Sequence, residues 1–344
     1  MANLINWAGN AQPVTMKHMP SAKEYLLGIE IGGSKLQLVA AKSPGKIVCR
    51  QRIAVEPGAG AVDVCNHIQS ALGLWSGFKW QAAGVGFGGP VDWKRGQIHC
   101  SHQVAGWNKK NIGRWLSNLI DAPVAIDNDA NVAALAEVYH GTGAGCSPVF
   151  YTNSGSGVGG GLVIAGEIYH GATPGEAELG HIRLTPTGLT VEESCSGWAV
   201  DRKVREHCAR FPSGILARLV ARAPGREARH LNKAILAGDA DAKKILDETA
   251  STLAFALSHV VHLIHPTLNI LGGGLSLIGE PWRKSVAEAL PQHLMKVFLP
   301  GPEIRLAALG EDIVPVGALL LAAAIHEGRS PDQSTHTFSH NYKS

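Results

Sequence analysis

Aromatic residues are scarce. Phe, Trp and Tyr together make up 6% of the 344 residues, too few for an extended base-stacking platform. Charge is thin as well: Asp, Glu, Lys and Arg make up 17%, and the net charge of +3 comes with both signs interspersed. No basic face therefore argues for a nucleic-acid partner. No apolar run reaches membrane-spanning length, since the most apolar stretch, 313–325, is too short and 253–264 is interrupted by His259 and His262. Residues 1–24 lack a basic start followed by an apolar run, so they do not read as a signal peptide but as a flexible leader. Residues 327–344 are polar and aperiodic and read as a flexible tail. No C-x-x-C pair occurs. Cys49, Cys65, Cys100, Cys146, Cys195 and Cys208 are spaced widely and irregularly, which predicts reduced thiols in a cytoplasmic protein.

What is present is a 45% hydrophobic chain long enough for two domains of ordinary size. Apolar segments alternate with glycine turns. YLLGIEIGGSKLQLVAA reads as two strands joined by a Gly-Gly turn, and KIVCRQRIAVE as a third. A helix over 61–73, the buried strand AAGVGFGG, the helix NIGRWLSNLI and the short strand PVAIDNDA follow. ANVAALAEVYHG has small apolar residues at helical spacing, with Gly141 at the capping position. PVFYTNSGSGVGGGLVIAGEIYHG then repeats the opening theme of strand, glycine loop and strand. Residues 196–265 are mostly helical, PTLNILGGGLSL is a strand ending in three glycines, and an apolar helix closes the pattern. This succession predicts an α/β fold of two related lobes: 25–139, with helix 313–326 packing back on it, and 140–312, with ligands bound between them.

Gly155-Ser156-Gly157-Val158-Gly159-Gly160 satisfies G-x-G-x-x-G, and Glu178 stands about twenty residues further on, as in a dinucleotide fingerprint. That fingerprint needs a helix after the loop, because the pyrophosphate sits on the helix N-terminus. GLVIAGEIYHG reads instead as a hairpin, so the dinucleotide reading fails. No G-x-x-x-x-G-K-[ST] run is present either. A glycine-rich hairpin turn can still hold phosphate in a nest of backbone N–H groups. One such turn is explained by turn geometry alone. Two of them, Gly32-Gly33-Ser34-Lys35 and Gly155-Ser156-Gly157, together with Gly272, Gly273 and Gly274, favour a nucleotide.

Phosphoryl transfer to an alcohol needs a base, and Asp129 in IDNDANVAALAE lies at a strand-to-helix junction where a short acid can enter a cleft. From this segment alone the alternative, that Asp127 or Asp129 caps the helix, is as good. A second polar set, Glu178 and His181 in GEAELGHIRL and Glu192 in TVEESCSGW, supplies carboxylates and an imidazole suited to adjacent sugar hydroxyls. His259, His262 and His265 recur every third residue, but the third is rotated round the helix, so they do not read as metal ligands.

Over about Leu27 to Ala324 these segments together resemble the ROK family of sugar kinases and related repressors. GIEIGGSK resembles the family's first phosphate loop, GFGGPVD (with Gly89) followed by QVAGW (with Gln103) its sugar-side loop, and DNDANVAALAE its catalytic segment. SGSGVGGG resembles the second phosphate loop, E-L-G-H the sugar motif, and LNILGGGLS the adenine-side glycines, Gly273 and Gly274. The resemblance implies a two-lobed actin-like ATPase (ribonuclease H-like) fold with the active site in the interlobe cleft, ATP with Mg²⁺, a small-molecule sugar substrate and a homodimer. It implies Asp129 as base and Gly89, Gln103, Asn128, Glu178, His181 and Glu192 around the sugar. Glu30 stands where the family usually has aspartate and is expected to reach Mg²⁺ through water. The family's C-x-C-x₄-C zinc loop is absent and Cys195 takes an alanine-like position, so no zinc site is expected. Two other functions were open to the family: a sugar-sensing repressor, for which the residues before Tyr25 are too few to form a helix-turn-helix, and a non-catalytic sugar-binding protein, which retention of Asp129 argues against.

Overall fold

The computed structural model of the protein describes residues 24–56, 58–101, 104–173, 175 and 177–329. Its first sheet grows from β1 (Glu24–Ile31), whose residues 26–29 are buried. A strand covered on both faces cannot alternate, and β1 accordingly reads as a nearly continuous apolar run. Antiparallel β2 (Lys35–Ala41) and β3 (Ile47–Ala54) lie on one side of it, and parallel β4 (Lys79–Phe87) and β7 (Val124–Asn128) on the other, in the order β3-β2-β1-β4-β7. Helix α1 (Ala61–Leu74), the small hairpin β5 (Val91–Asp92) and β6 (Gln97–Ile98), and α2 (Ile112–Ile120) fill the connections.

The second sheet repeats this arrangement. β8 (Val149–Ser154), β9 (Val158–Ile164) and β10 (Glu167–Ile168) are antiparallel neighbours, and β11 (Leu268–Gly272) and β12 (Glu303–Leu306) extend β8 in parallel, giving β10-β9-β8-β11-β12. Its helices are α4 (Val191–Cys195), α5 (Gly197–Arg210), α6 (Ile215–Arg222), α7 (Leu231–Leu236), α8 (Ala240–Ile264) and α9 (Glu280–Ala289), which build one apolar core around residues such as Leu253, Leu257 and Trp282. The four-residue β12 and the β5–β6 hairpin are additions to the pattern read from sequence.

Two helices lie between the sheets. α3 (Asp129–His140) leaves β7 but packs on the second sheet, its Ala130, Ala133 and Ala134 joining Val149, Tyr151 and Val163 in one apolar cluster. α10 (Ile313–His326) packs on β1 and β4 and against α3. Glycines make this close stacking possible. A Cβ on Gly84 of β4 would overlap the Ala318 carbonyl oxygen, and one on Gly161 of β9 would come within 2.6 Å of the Ala130 carbonyl oxygen. Either side chain would drive a helix off its sheet.

Candidate active site

The ends of β1, β4 and β7 converge on one carboxylate. Gly32 N–H donates to Lys35 O at 2.9 Å, closing the β1–β2 turn, and Gly88 N–H donates to Ile31 O at 2.9 Å. A Cβ on Gly88 would stand 3.5 Å from Asp129 Oδ2 and 3.7 Å from Gly32 Cα, so the first glycine loop, the end of β4 and Asp129 meet at a point. Asp129 is the first residue of α3, and the cap is neither Asp127 nor Asp129. Asn128 Oδ1 accepts the Ala130 N–H at 2.8 Å, and Asn128 Nδ2 donates to Gly89 O at 3.1 Å. The cap thus falls to an amide, and half-buried Asp129 is left beside Gly88.

Its surroundings raise its affinity for a proton. Burial pushes the Asp129 carboxyl up from 3.8 to about 7, the Glu30 and Glu178 carboxylates add to the rise, and the Ala130 N–H opposes it. Glu30 Oε1 lies 3.0 Å from Lys35 Nζ, and Glu30 Oε2 accepts from Gln37 Nε2 at 2.9 Å. Gln37 is fully buried, and its Oε1 accepts from both Arg50 Nη1 and Arg52 Nε at 2.9 Å. The Glu30 carboxylate is therefore held in place from both sides.

The second sheet supplies the other glycine loop. Gly155 N–H donates to Gly157 O at 2.9 Å, and Gly155 O accepts from Gly197 N–H at 2.7 Å, so the loop leans on the start of α5. Gly273 has φ +78°, and a Cβ there would overlap Asn153 Oδ1 and lie 2.5 Å from the Ser154 carbonyl carbon. Gly273 and Gly274 thus border the 155–157 loop. Glu178 precedes the short turn Leu179–His181 and His181 ends it; both are exposed, with Gly180 set tightly against Val158 O. Glu192 Oε2 accepts the Val158 N–H at 2.9 Å and so braces the second glycine loop. Gln103 lies outside the described residues.

One polar group was missed. Asp127, 3% exposed, accepts from Asn128 N–H at 2.7 Å and Asn131 Nδ2 at 2.9 Å through Oδ1, and its Oδ2 lies 2.5 Å from His170 Nε2. The only signal in the sequence was an acid beside Asn128, and nothing local pointed to His170.

Among the described residues no group of three His, Cys, Asp or Glu side chains is placed to hold a metal ion by itself. Cys195 is buried in the second core, where burial pushes its thiol up to about 12. His259 packs on Phe255, His262 Nε2 accepts the Met295 N–H, and His265 stacks on Phe298. No helix among the described residues is long and apolar enough to cross a membrane.

Residues 26–325 match the ROK family. The chain is 28% identical to a glucokinase from Halalkalibacterium halodurans, over 85% of this chain and 93% of that one. It is 29% identical to an N-acetylgalactosamine kinase from Shewanella sp., over 88% of this chain and 98% of that one. It superposes with a TM-score of 0.77 on a ROK family glucokinase from Streptomyces griseus in complex with glucose and AMPPNP. That similarity is at 27% identity and spans 87% of this chain and 99% of the other.

Proposed function

The chain belongs to the ROK family and has the actin-like ATPase fold of its sugar kinases, and on that premise we propose that it transfers the γ-phosphoryl group of ATP to a hydroxyl of a hexose or N-acetylhexosamine, with Asp129 as general base. The observation that carries this reading is the Asp129 carboxyl. It is released from helix capping, meets Gly88 and the Gly32 loop, and is raised to about 7, where a carboxylate can accept a proton at neutral pH. The relatives act as glucokinase and N-acetylgalactosamine kinase by name, which supports the substrate class and leaves the individual sugar open.

The chain's residues divide the work. Gly32, Gly33, Ser34 and Lys35 form one phosphate-facing turn, Gly155, Ser156 and Gly157 the other, and Gly273 with Gly274 the adjoining nucleotide wall. Backbone N–H groups of such turns that are not spent in closing the turn act as fixed dipoles and need no reorganisation during transfer. Asn128, Gly89, Glu178 and His181 face the sugar, and Glu192 reaches that side from under the second glycine loop. Proximity and alignment of the hydroxyl with the γ-phosphate carry most of the acceleration, and Asp129 takes the proton as the oxygen–phosphorus bond forms. Glu30, a hard oxygen donor close enough to Asp129 for its charge to be felt there and with Lys35 beside it, would hold a hydrated Mg²⁺ arriving with ATP through water. Bound Mg²⁺ supplies charge neutralisation on the phosphates.

A second reading, a sugar-binding member without catalysis, draws on Glu30, whose two oxygens are already engaged by Lys35 and Gln37. ADP release measured with ATP, Mg²⁺ and a panel of hexoses and N-acetylhexosamines separates the two. The kinase reading expects sugar-dependent ADP release with stoichiometric sugar phosphate. Sugar binding without ADP release overturns it.

A further inference from the structure

His170 belongs to the second lobe and is clamped by the first. The chain leaving β10 runs back along β9: Tyr169 N–H donates to Leu162 O at 2.8 Å, Ala177 O lies over Gly160, and Gly180 lies against Val158 O. This returning arm ends at Glu178 and His181. Partway along it, His170 Nε2 meets Asp127 Oδ2 at 2.5 Å, and its ring stacks on Trp93, with centroids 4.1 Å apart and planes 22° from parallel. Trp93 sits on the turn between β5 and β6, and Asp127 on β7, so these two contacts are with first-lobe residues. The ring is held in plane by the carboxylate and across its face by the indole.

The Asp127 end of this clamp reaches the catalytic segment. The buried carboxylate also accepts the Asn128 N–H and Asn131 Nδ2, so it sets the turn from which Asn128 caps α3 and Asp129 projects. Without His170, one oxygen of a nearly fully buried carboxylate loses its donor, and the turn relaxes to find another.

We propose that His170 is a positioning residue that fixes the sugar-side arm bearing Glu178 and His181 in register with the segment bearing Asn128 and Asp129. The proposal rests on the kinase reading for its kinetic consequences. The contact itself spans the lobes whatever the substrate. Misplacement of a base by a fraction of an ångström is costly in rate, so a residue that touches no substrate can still govern turnover.

The test uses His170→Phe, which keeps a ring against Trp93 but removes the donor, and His170→Gln, whose amide nitrogen can occupy the Nε2 position. Steady-state kinetics on the full chain with the sugar that wild type turns over should show His170→Phe raising the sugar KM and lowering kcat, each by about tenfold, with the ATP KM unchanged. His170→Gln should recover most of both. In Asp127→Asn/His170→Phe the buried charge is gone, and the loss should be no larger than in His170→Phe alone. A His170→Phe variant with wild-type kinetics, a loss shared equally by ATP and sugar, or no recovery in His170→Gln overturns the proposal. Hydrogen exchange keeps the decision separate from the kinase reading. Even if wild type transfers no phosphate, His170→Phe should speed exchange at residues 124–131 and leave α8 unchanged, and unchanged exchange at 124–131 overturns the clamp.

Discussion

Glu192 and Val158 are joined by a 2.9 Å hydrogen bond from the Val158 N–H to the Glu192 carboxylate, and a side chain on Gly157 would overlap that same carboxylate. The acid at the start of α4 therefore supports the glycine loop of the β8–β9 turn, in addition to the sugar-side role proposed for it. Glu192→Ala should raise the KM for ATP and for sugar together, by about tenfold each, since a charge-assisted hydrogen bond under the loop is lost. Glu192→Gln, which keeps an acceptor oxygen, should lose less. Steady-state kinetics with each substrate varied in turn checks this, and a change in sugar KM alone would return Glu192 to a purely sugar-side role.

Glu178 provides the contrast. It is exposed at the end of the arm. Glu178→Ala should raise the sugar KM by roughly tenfold to a hundredfold, corresponding to about 1.5–3 kcal/mol for a charged hydrogen-bond partner, and leave the ATP KM unchanged. Equal weakening of both substrates, or of neither, contradicts the assigned pocket.

Much of this architecture was legible in the sequence because glycine turns punctuate apolar strands in the same order twice. Strands β1, β2, β8 and β9 announce themselves by long apolar runs on either side of Gly32-Gly33 and Gly155-Ser156-Gly157. β12 did not, having only four residues of which Ile304 alone is buried. The alternative weighed for this segment, a cap at Asp127 or Asp129, passed over Asn128 between them, which is chemically as good a cap. The Asp127–His170 contact could not be read, since 43 residues and a change of lobe separate the partners and no local pattern links them. The support of Glu192 for Val158, across 34 residues, was hidden for the same reason.

The pH profile follows from Asp129. Its carboxyl is raised to about 7, so kcat/KM for sugar should rise with pH and reach half its plateau near that value. Glu30→Gln removes one of the charges that raise it, and the rising limb should move to lower pH. Stability has the opposite slope. The folded chain holds the Asp129 proton more tightly than the unfolded chain does, so this group's contribution to stability falls as pH climbs from about 4 to about 7. Thermal melts should therefore show Asp129→Asn gaining on wild type across that window. A constant difference contradicts the raised carboxyl.

Gly273 tests the nucleotide wall. Alanine there must take a φ of +78° and press on the Ser154 backbone, which cannot swing aside as a side chain could. Left-handed backbone at a non-glycine residue costs about 1–3 kcal/mol. Gly273→Ala should lower the melting temperature and raise the ATP KM, with the sugar KM little changed. Unaltered ATP affinity removes Gly273 from the nucleotide site.

The central claim is that Asp129 acts on a bound sugar as a base, and single-turnover phosphoryl transfer by Asp129→Asn tests it most directly. The substitution keeps the side chain's shape, and the cap of α3 rests on Asn128, so folding and sugar binding should persist. With ATP, Mg²⁺ and the sugar that wild type phosphorylates, transfer should slow by roughly 10²–10⁴-fold while calorimetric sugar affinity stays near that of wild type. Transfer at the wild-type rate would contradict the assignment of Asp129 as the base.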